Sequence, residues 1–264
     1  MSYPACPKCG HAPLPADQSL PAACPACGIV LAKFAAATLR PLPAAVEEVE
    51  EEAHPEGGFF KRWLLHVPDA VSKTDWLGRG ALLIVVTLYT FKIFHDTDFQ
   101  YGDLGGSFLH RVLLPWHEAG HVIFRPFGYF MTVLGGTLGQ HLFPITLGVA
   151  LLVTRRDSFG ASIAFCLLGF SVMDMGHYMH DAGDPQMMMV NGQSSAETDG
   201  HDFINIFSAM GGWWLQHATT VGIVFGRIGE AMMLLGLAWG VYLLWLQKAN
   251  LSDSPFAGSS LDKD

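Results

Sequence analysis

The chain has 264 residues, 50% of them hydrophobic and only 15% charged, with a mean hydropathy of +0.30. That is too apolar for an ordinary soluble domain of this length and implies several membrane spans. The formal net charge is −9; its acids gather in Glu47–Glu56 and in scattered loops, so no basic surface exists for nucleic acid and none is expected as a partner.

In chain order, the first residues, Met1-Ser2-Tyr3-Pro4-Ala5-Cys6, lack the basic and apolar regions of a secretory signal, which predicts an N-terminus that stays in the cytosol. Two C-x-x-C pairs follow, Cys6-Pro7-Lys8-Cys9 and Cys24-Pro25-Ala26-Cys27, separated by 14 residues and each followed by a glycine, Gly10 or Gly28. Glycine there lets backbone amides turn toward the sulfurs. The spacing predicts a zinc ribbon over residues 1–34 in which four thiolates close the coordination shell of one structural Zn2+. Two disulfides or a redox pair are the competing arrangements. Cys166 stands apart in an apolar run and reads as a small buried hydrophobe.

Residues 35–58, rich in Ala, Pro and Glu, cannot bury enough apolar surface to order themselves and read as a flexible acidic linker. Phe59 to Asp75 is amphipathic and suits the headgroup layer. Leu77 to Phe94 is then the first span, with Lys61, Arg62, Lys73 and Arg79 placing its start on the cytoplasmic side; Asp96, Asp98 and Asp103 mark an outer loop.

Gly106 to Phe124 forms the second span and carries His117-Glu118-Ala119-Gly120-His121. Residues four apart share a helix face, so His117 and His121 can offer two imidazole nitrogens to one metal, with Glu118 beside them as the base that takes a proton from the attacking water. Ionisable groups at membrane depth are costly, and three within five positions need a functional reason. Pro115 just before the motif can kink the helix. Val133 to Pro144, with Gly135, Gly136, Gly139, Gln140 and His141, fits either a re-entrant segment lining a cavity or a helix packed through its glycines. His141 is a candidate for substrate binding or for orienting a ligand.

Ser158 to Met175 is a further span and runs into Asp174, His177, Tyr178 and Asp181, a single polar stripe if the helix continues. A catalytic zinc takes a third protein ligand, and Asp174 is the deepest candidate; a capping or pairing role is its alternative. Asp199-Gly200-His201-Asp202 forms a second cluster that could supply a ligand, orient one, or simply begin a helix. Spans from Phe203 and Thr219 complete the set, with Trp213, Trp214, Tyr242 and Trp245 as interfacial anchors and Glu230 paired internally. Residues 248–264 read as a disordered tail. The fold expected is mainly α: a polytopic bundle of about six spans, with one possible re-entrant loop, over residues 59–247, preceded by the ribbon.

His117-Glu118-Ala119-Gly120-His121 within a span, followed by Met173-Asp174-Met175-Gly176-His177 in a later apolar segment, resembles the site-2 protease group of intramembrane zinc metalloproteases. The resemblance covers roughly Gly106 to His177. It implies His117 and His121 as ligands of a catalytic Zn2+, Glu118 as general base, and Asp174 as the third ligand. Met175 stands where that family has the first of two glycines, so His177, Asp181, His201 and Asp202 remain rivals. The function expected is hydrolysis of a peptide bond in a membrane-associated protein, in a bacterial inner membrane, with a ribbon that could bind a protein partner. The alternatives are a non-catalytic metal-binding membrane adaptor and a metal or proton transporter.

Overall fold

The computed structural model describes residues 3–19, 22–31, 58, 60–97, 104–189, 192–197 and 199–252. The chain divides into two compact units, Met1–Glu56 and Gly57–Asp264. The expected acidic linker falls almost wholly outside the described residues, as do Asp98 and Asp103 of the expected outer loop.

The first unit is built on two similar knuckles. In each, a backbone amide closes the turn onto the leading cysteine: Gly10 N donates to Cys6 O, and Gly28 N to Cys24 O. Both glycines sit in the left-handed region, at φ 74° and 72°, where a side chain would be strained.

The second unit is mainly helical. A π-helical turn at Phe60–Leu64 and a two-residue strand β1 (Val71–Ser72) lead into helix α1 (Lys73–Asp96). Helices α2 (Phe108–Phe124), α3 (Tyr129–Val153) and α4 (Ser158–Asp181) follow, then α5 (Asp202–Met210), α6 (Gly212–Gln216), α7 (Ala218–Gln247) and strand β2 (Leu251–Ser252). Side chains that compete poorly inside helices start them here: Ser72 accepts from Asp75 N, Ser107 from His110 N and Asp157 from Gly160 N, each satisfying an otherwise orphaned amide. Strands β1 and β2 pair in parallel, Val71 with Leu251 and Ser72 with Ser252. The segment expected to be a disordered tail is therefore ordered at least through Ser252.

Among the described residues four helices, α1, α3, α4 and α7, are long and apolar enough to cross a membrane, which makes this a membrane protein built as a helical bundle. Two of the about six expected spans are not among these four helices. Helix α2 has 17 residues, at the lower limit for a span. The apolar stretch from Phe203 is broken into the nine-residue α5 and five-residue α6 by Gly211, whose φ of 115° no continuous helix adopts. The glycine-rich stretch around Gly135 is not re-entrant but lies inside the uninterrupted α3.

Helix α4 is the most enclosed of the four, and glycines set its contact with α7. A Cβ on Gly229 would lie 2.5 Å from Gly169 O, and one on Gly176 2.7 Å from Gly222 O, so the two backbones touch without intervening side chains, as expected where lipid offers no hydrophobic drive to helix association. Gly120 on α2 faces Gly135 on α3 in the same way. Leu113, Phe170, Met173 and Met233 pack beside these seams, all fully buried. Cys166 is buried, as its apolar surroundings predicted. Glu230 is paired with Arg227 one turn earlier at 2.7 Å.

Candidate metal centre

Among the described residues two groups of side chains could hold a metal ion, one in each unit. In the first unit, the ligand atoms of Cys6, Cys9, Cys24 and Cys27 lie within 4.8 Å of one another, and all four are free thiols. The sulfurs of Cys6 and Cys27 are 3.7 Å apart and those of Cys9 and Cys24 3.8 Å. Those separations match the edge of a tetrahedron with metal–sulfur bonds of about 2.3 Å, which is roughly 3.8 Å. Burial raises the Cys6 thiol, but the amides of Cys9 and Lys8 directed at its sulfur outweigh that and pull it down to about 6.

In the second unit, the donor atoms of His117, His121 and Asp202 converge within 4.8 Å. The helix supplies the first two, one turn apart on the buried side of α2. Asp202 opens α5 and arrives from the far end of the chain: its Oδ2 lies 3.0 Å from His117 Nε2 and 3.4 Å from His121 Nε2.

What surrounds the imidazoles fixes their proton positions. Thr132 O, a carbonyl that can only accept, is 2.8 Å from His121 Nδ1, so that nitrogen carries a hydrogen and Nε2 is the atom left to face Asp202. For His117 the chain of inference is one step longer. Gln140 Nε2 donates to Asp174 Oδ2 at 2.8 Å, which turns the amide oxygen toward His117 Nδ1 at 3.1 Å. That nitrogen is therefore also the donor, leaving Nε2 directed at Asp202. Both Nε2 atoms and a carboxylate oxygen consequently meet at one point, a set of donors that a bound metal cation would satisfy.

Gly136 on α3 leaves space at this point: a Cβ there would sit 2.6 Å from Nε2 of both histidines. Glu118 lines the same cavity, of about 400 Å³, with Thr137, Met175 and Tyr178. The residues present therefore fit a metal with two imidazoles, one carboxylate and an open side, the donor set of hydrolytic zinc sites.

The structure places the remaining candidates around this trio. Asp174, the sequence-favoured third ligand, is 6% exposed and lies outside the converging group: His110 Nδ1 is 2.9 and 3.0 Å from its two oxygens, and Gln140 takes the rest. It holds the amide that holds His117. His201 Nδ1 accepts from Ile204 N at 3.4 Å, capping α5, so its Nε2 donates to Asp181 Oδ2 at 3.1 Å. Asp181 also accepts from the amides of Gln186 and Met187. Together His201 and Asp181 fix the start of α5, and Tyr178, stacked on His201, accepts from Asp202 N at 3.1 Å. His141 lies beside Ser171, 3.2 Å away, and His177 is buried in α4; neither joins the trio.

His110 and Gln140 were not singled out for roles at this centre. His110 had a signal: seven residues before His117 is about two helical turns, so both share one face of α2. Gln140 had none beyond being an amide at membrane depth.

Comparison with known proteins finds no matching family model, no similar curated protein and no similar solved structure.

Proposed function

We propose that the second unit is an intramembrane zinc metallopeptidase of the site-2 protease kind, and that the first unit is a zinc ribbon accessory to it. The observation that carries this reading is the convergence of the two Nε2 atoms and the Asp202 carboxylate beside Glu118 in a cavity formed within the membrane unit. His117, His121 and Asp202 would hold the ion. A bound zinc supplies Lewis acidity toward a scissile carbonyl and toward the attacking water. Glu118, free of any role in holding the ion, takes the proton from that water and hands it to the leaving amine. Gln140 and Thr132 O keep both rings turned inward during turnover. Met175 and Leu114 give the cavity an apolar wall suited to the side chains of a membrane-associated protein, the substrate class proposed. We place the protein in a bacterial inner membrane with a cytoplasmic ribbon, following the basic residues Lys61, Arg62, Lys73 and Arg79 ahead of and within the start of α1.

Elemental analysis tests the centre and kinetics tests the chemistry. Purified wild type should contain two zinc ions per chain and the His117→Ala/His121→Ala variant one. Glu118→Gln should keep both ions and lose roughly 10²–10⁴-fold in cleavage of a fluorogenic library of apolar peptides in the same detergent. One ion in wild type and variant alike, with no second ion taken up on adding zinc, would rule out the membrane centre. Undiminished cleavage by Glu118→Gln would rule out the assigned base.

A further inference from the structure

A second cavity lies away from the metal centre and has a different character. It is a groove of about 490 Å³ between α3 and α4, walled by Pro144, Ile145, Gly148 and Leu152 on one side and Ala164 and Leu168 on the other. Leu64 and Trp239 close its flank. Almost no polar surface reaches it, and nothing in the proposed peptidase mechanism uses it.

The groove has a direction. From Leu152 to Pro144 is eight residues of helix, about 12 Å at 1.5 Å per residue, close to the thickness of one leaflet's hydrocarbon, about 15 Å. Its Leu152 end opens at the turn joining the spans α3 and α4, where Arg155 and Arg156 are both exposed. Arg156 takes a φ of 49°, a left-handed conformation unusual for a long side chain. In that conformation its guanidinium lies over the Trp63 ring, 5.6 Å from the centroid.

The Phe60–Leu64 turn is strapped to the same place. Ser158 Oγ donates to Trp63 O at 2.9 Å, and Trp239 Nε1 donates to Leu64 O at 2.8 Å. Arg62, exposed and one residue before Trp63, is carried on this strapped turn, at the same end of the spans as Arg155 and Arg156. The acid of the α3–α4 turn, Asp157, faces Arg79 at 3.6 Å and caps Gly160.

We propose that this groove is a binding site for an anionic phospholipid, with one acyl chain between α3 and α4 and the phosphate headgroup held by Arg155, Arg156 and Arg62. Charge complementarity selects the headgroup, and the one-leaflet depth with a dry lining selects the chain. A substrate helix would need a groove running the full membrane thickness, and a second copy of this chain would bring the same three arginines against themselves.

Native mass spectrometry of the full chain, purified in detergent and titrated with phosphatidylglycerol or phosphatidylcholine of identical acyl chains, tests this. The wild type should retain one phosphatidylglycerol with a preference of about tenfold over phosphatidylcholine, the scale set by juxtamembrane arginines. Arg62→Gln/Arg155→Gln/Arg156→Gln should bring the preference close to one while chain binding persists. Gly148→Leu should abolish the tight adduct for both lipids, because a Cβ at 148 already meets the Ala164 Cβ at 3.5 Å and the rest of the leucine fills the groove. Replacing a mid-helix glycine favours the helix; should Gly148→Leu nevertheless fail to give wild-type helicity, Ala164→Met blocks the opposite wall. Equal retention of the two lipids by the wild type, or an adduct that survives both blocking variants, overturns the proposal. So does a dimer that the blocking variants dissociate, which would make a second copy the occupant.

Discussion

At the scale of single residues, the membrane centre is organised by an amide. Gln140 reads the carboxylate of Asp174 with one end and the imidazole of His117 with the other, so Asp174 acts on the proposed metal site through Gln140 while Asp202 acts directly. The two aspartates should therefore differ sharply. Asp202→Ala is expected to remove the second zinc altogether, whereas Asp174→Ala and Gln140→Ala should keep it with affinity reduced about 10- to 100-fold, the usual cost of losing a group that orients a ligand. Competition against a chelator of known affinity gives the ranking, and a reversed order would make Asp174 the ligand. Sequence alone reached His117, His121 and Glu118 because all three lie within two turns of one helix, where spacing is geometry. It favoured Asp174 over Asp202 because a polar stripe on a long helix is legible and a tertiary approach is not: Asp202 reaches His121 across a separation of 81 residues that no periodicity encodes.

At the scale of elements, the helices are held by what their glycines lack. On α7, Gly229 meets the backbone of Gly169 and Met173 on α4, and a larger residue there has backbone, not a flexible side chain, to displace. Gly229→Leu should destabilise the unit by at least about 1–3 kcal/mol, the range for overpacking, seen as a lower melting temperature in detergent. Gly78→Ala on α1, with nothing within 4 Å of its Cβ, is the control and should be neutral or mildly stabilising. Equal effects at the two positions would mean that the α4–α7 seam is looser than its geometry implies. The number of apolar stretches was readable, but their continuity was not. A run of glycines in an apolar segment signals either broken backbone or close packing, and only the neighbour that α2 provides decides for packing at Gly135. The converse holds at Gly211, where the stretch looked continuous and the backbone turns.

At the scale of the whole molecule, the pairing of β1 with β2 brings together residues 180 positions apart, a contact too short to leave a sequence signal and one that orders part of the expected tail. Trp76 Nε1 reinforces it by donating to Leu244 O at 2.9 Å, and Asn250 Nδ2 by donating to Pro68 O at 2.8 Å. A ladder cannot form through a bilayer. The polypeptide must therefore return, by Leu251, to the face of the membrane from which it set out at Ser72, and the crossings between them must be even in number. The four long helices satisfy that rule by themselves. Asp157 against Arg79 and Ser158 against Trp63 bring the α3–α4 turn to that same face, so the crossings between Ser72 and Asp157 must be even as well, which α1 and α3 satisfy without α2. Reporter domains inserted at Gly58 and after Ser252 should accordingly give the same compartment signal, whichever side that is, and opposite signals would show that the ladder is not formed in the membrane. The topology of the protein is in this sense an arithmetic constraint, set by two residue pairs that touch neither the proposed metal site nor the proposed lipid groove.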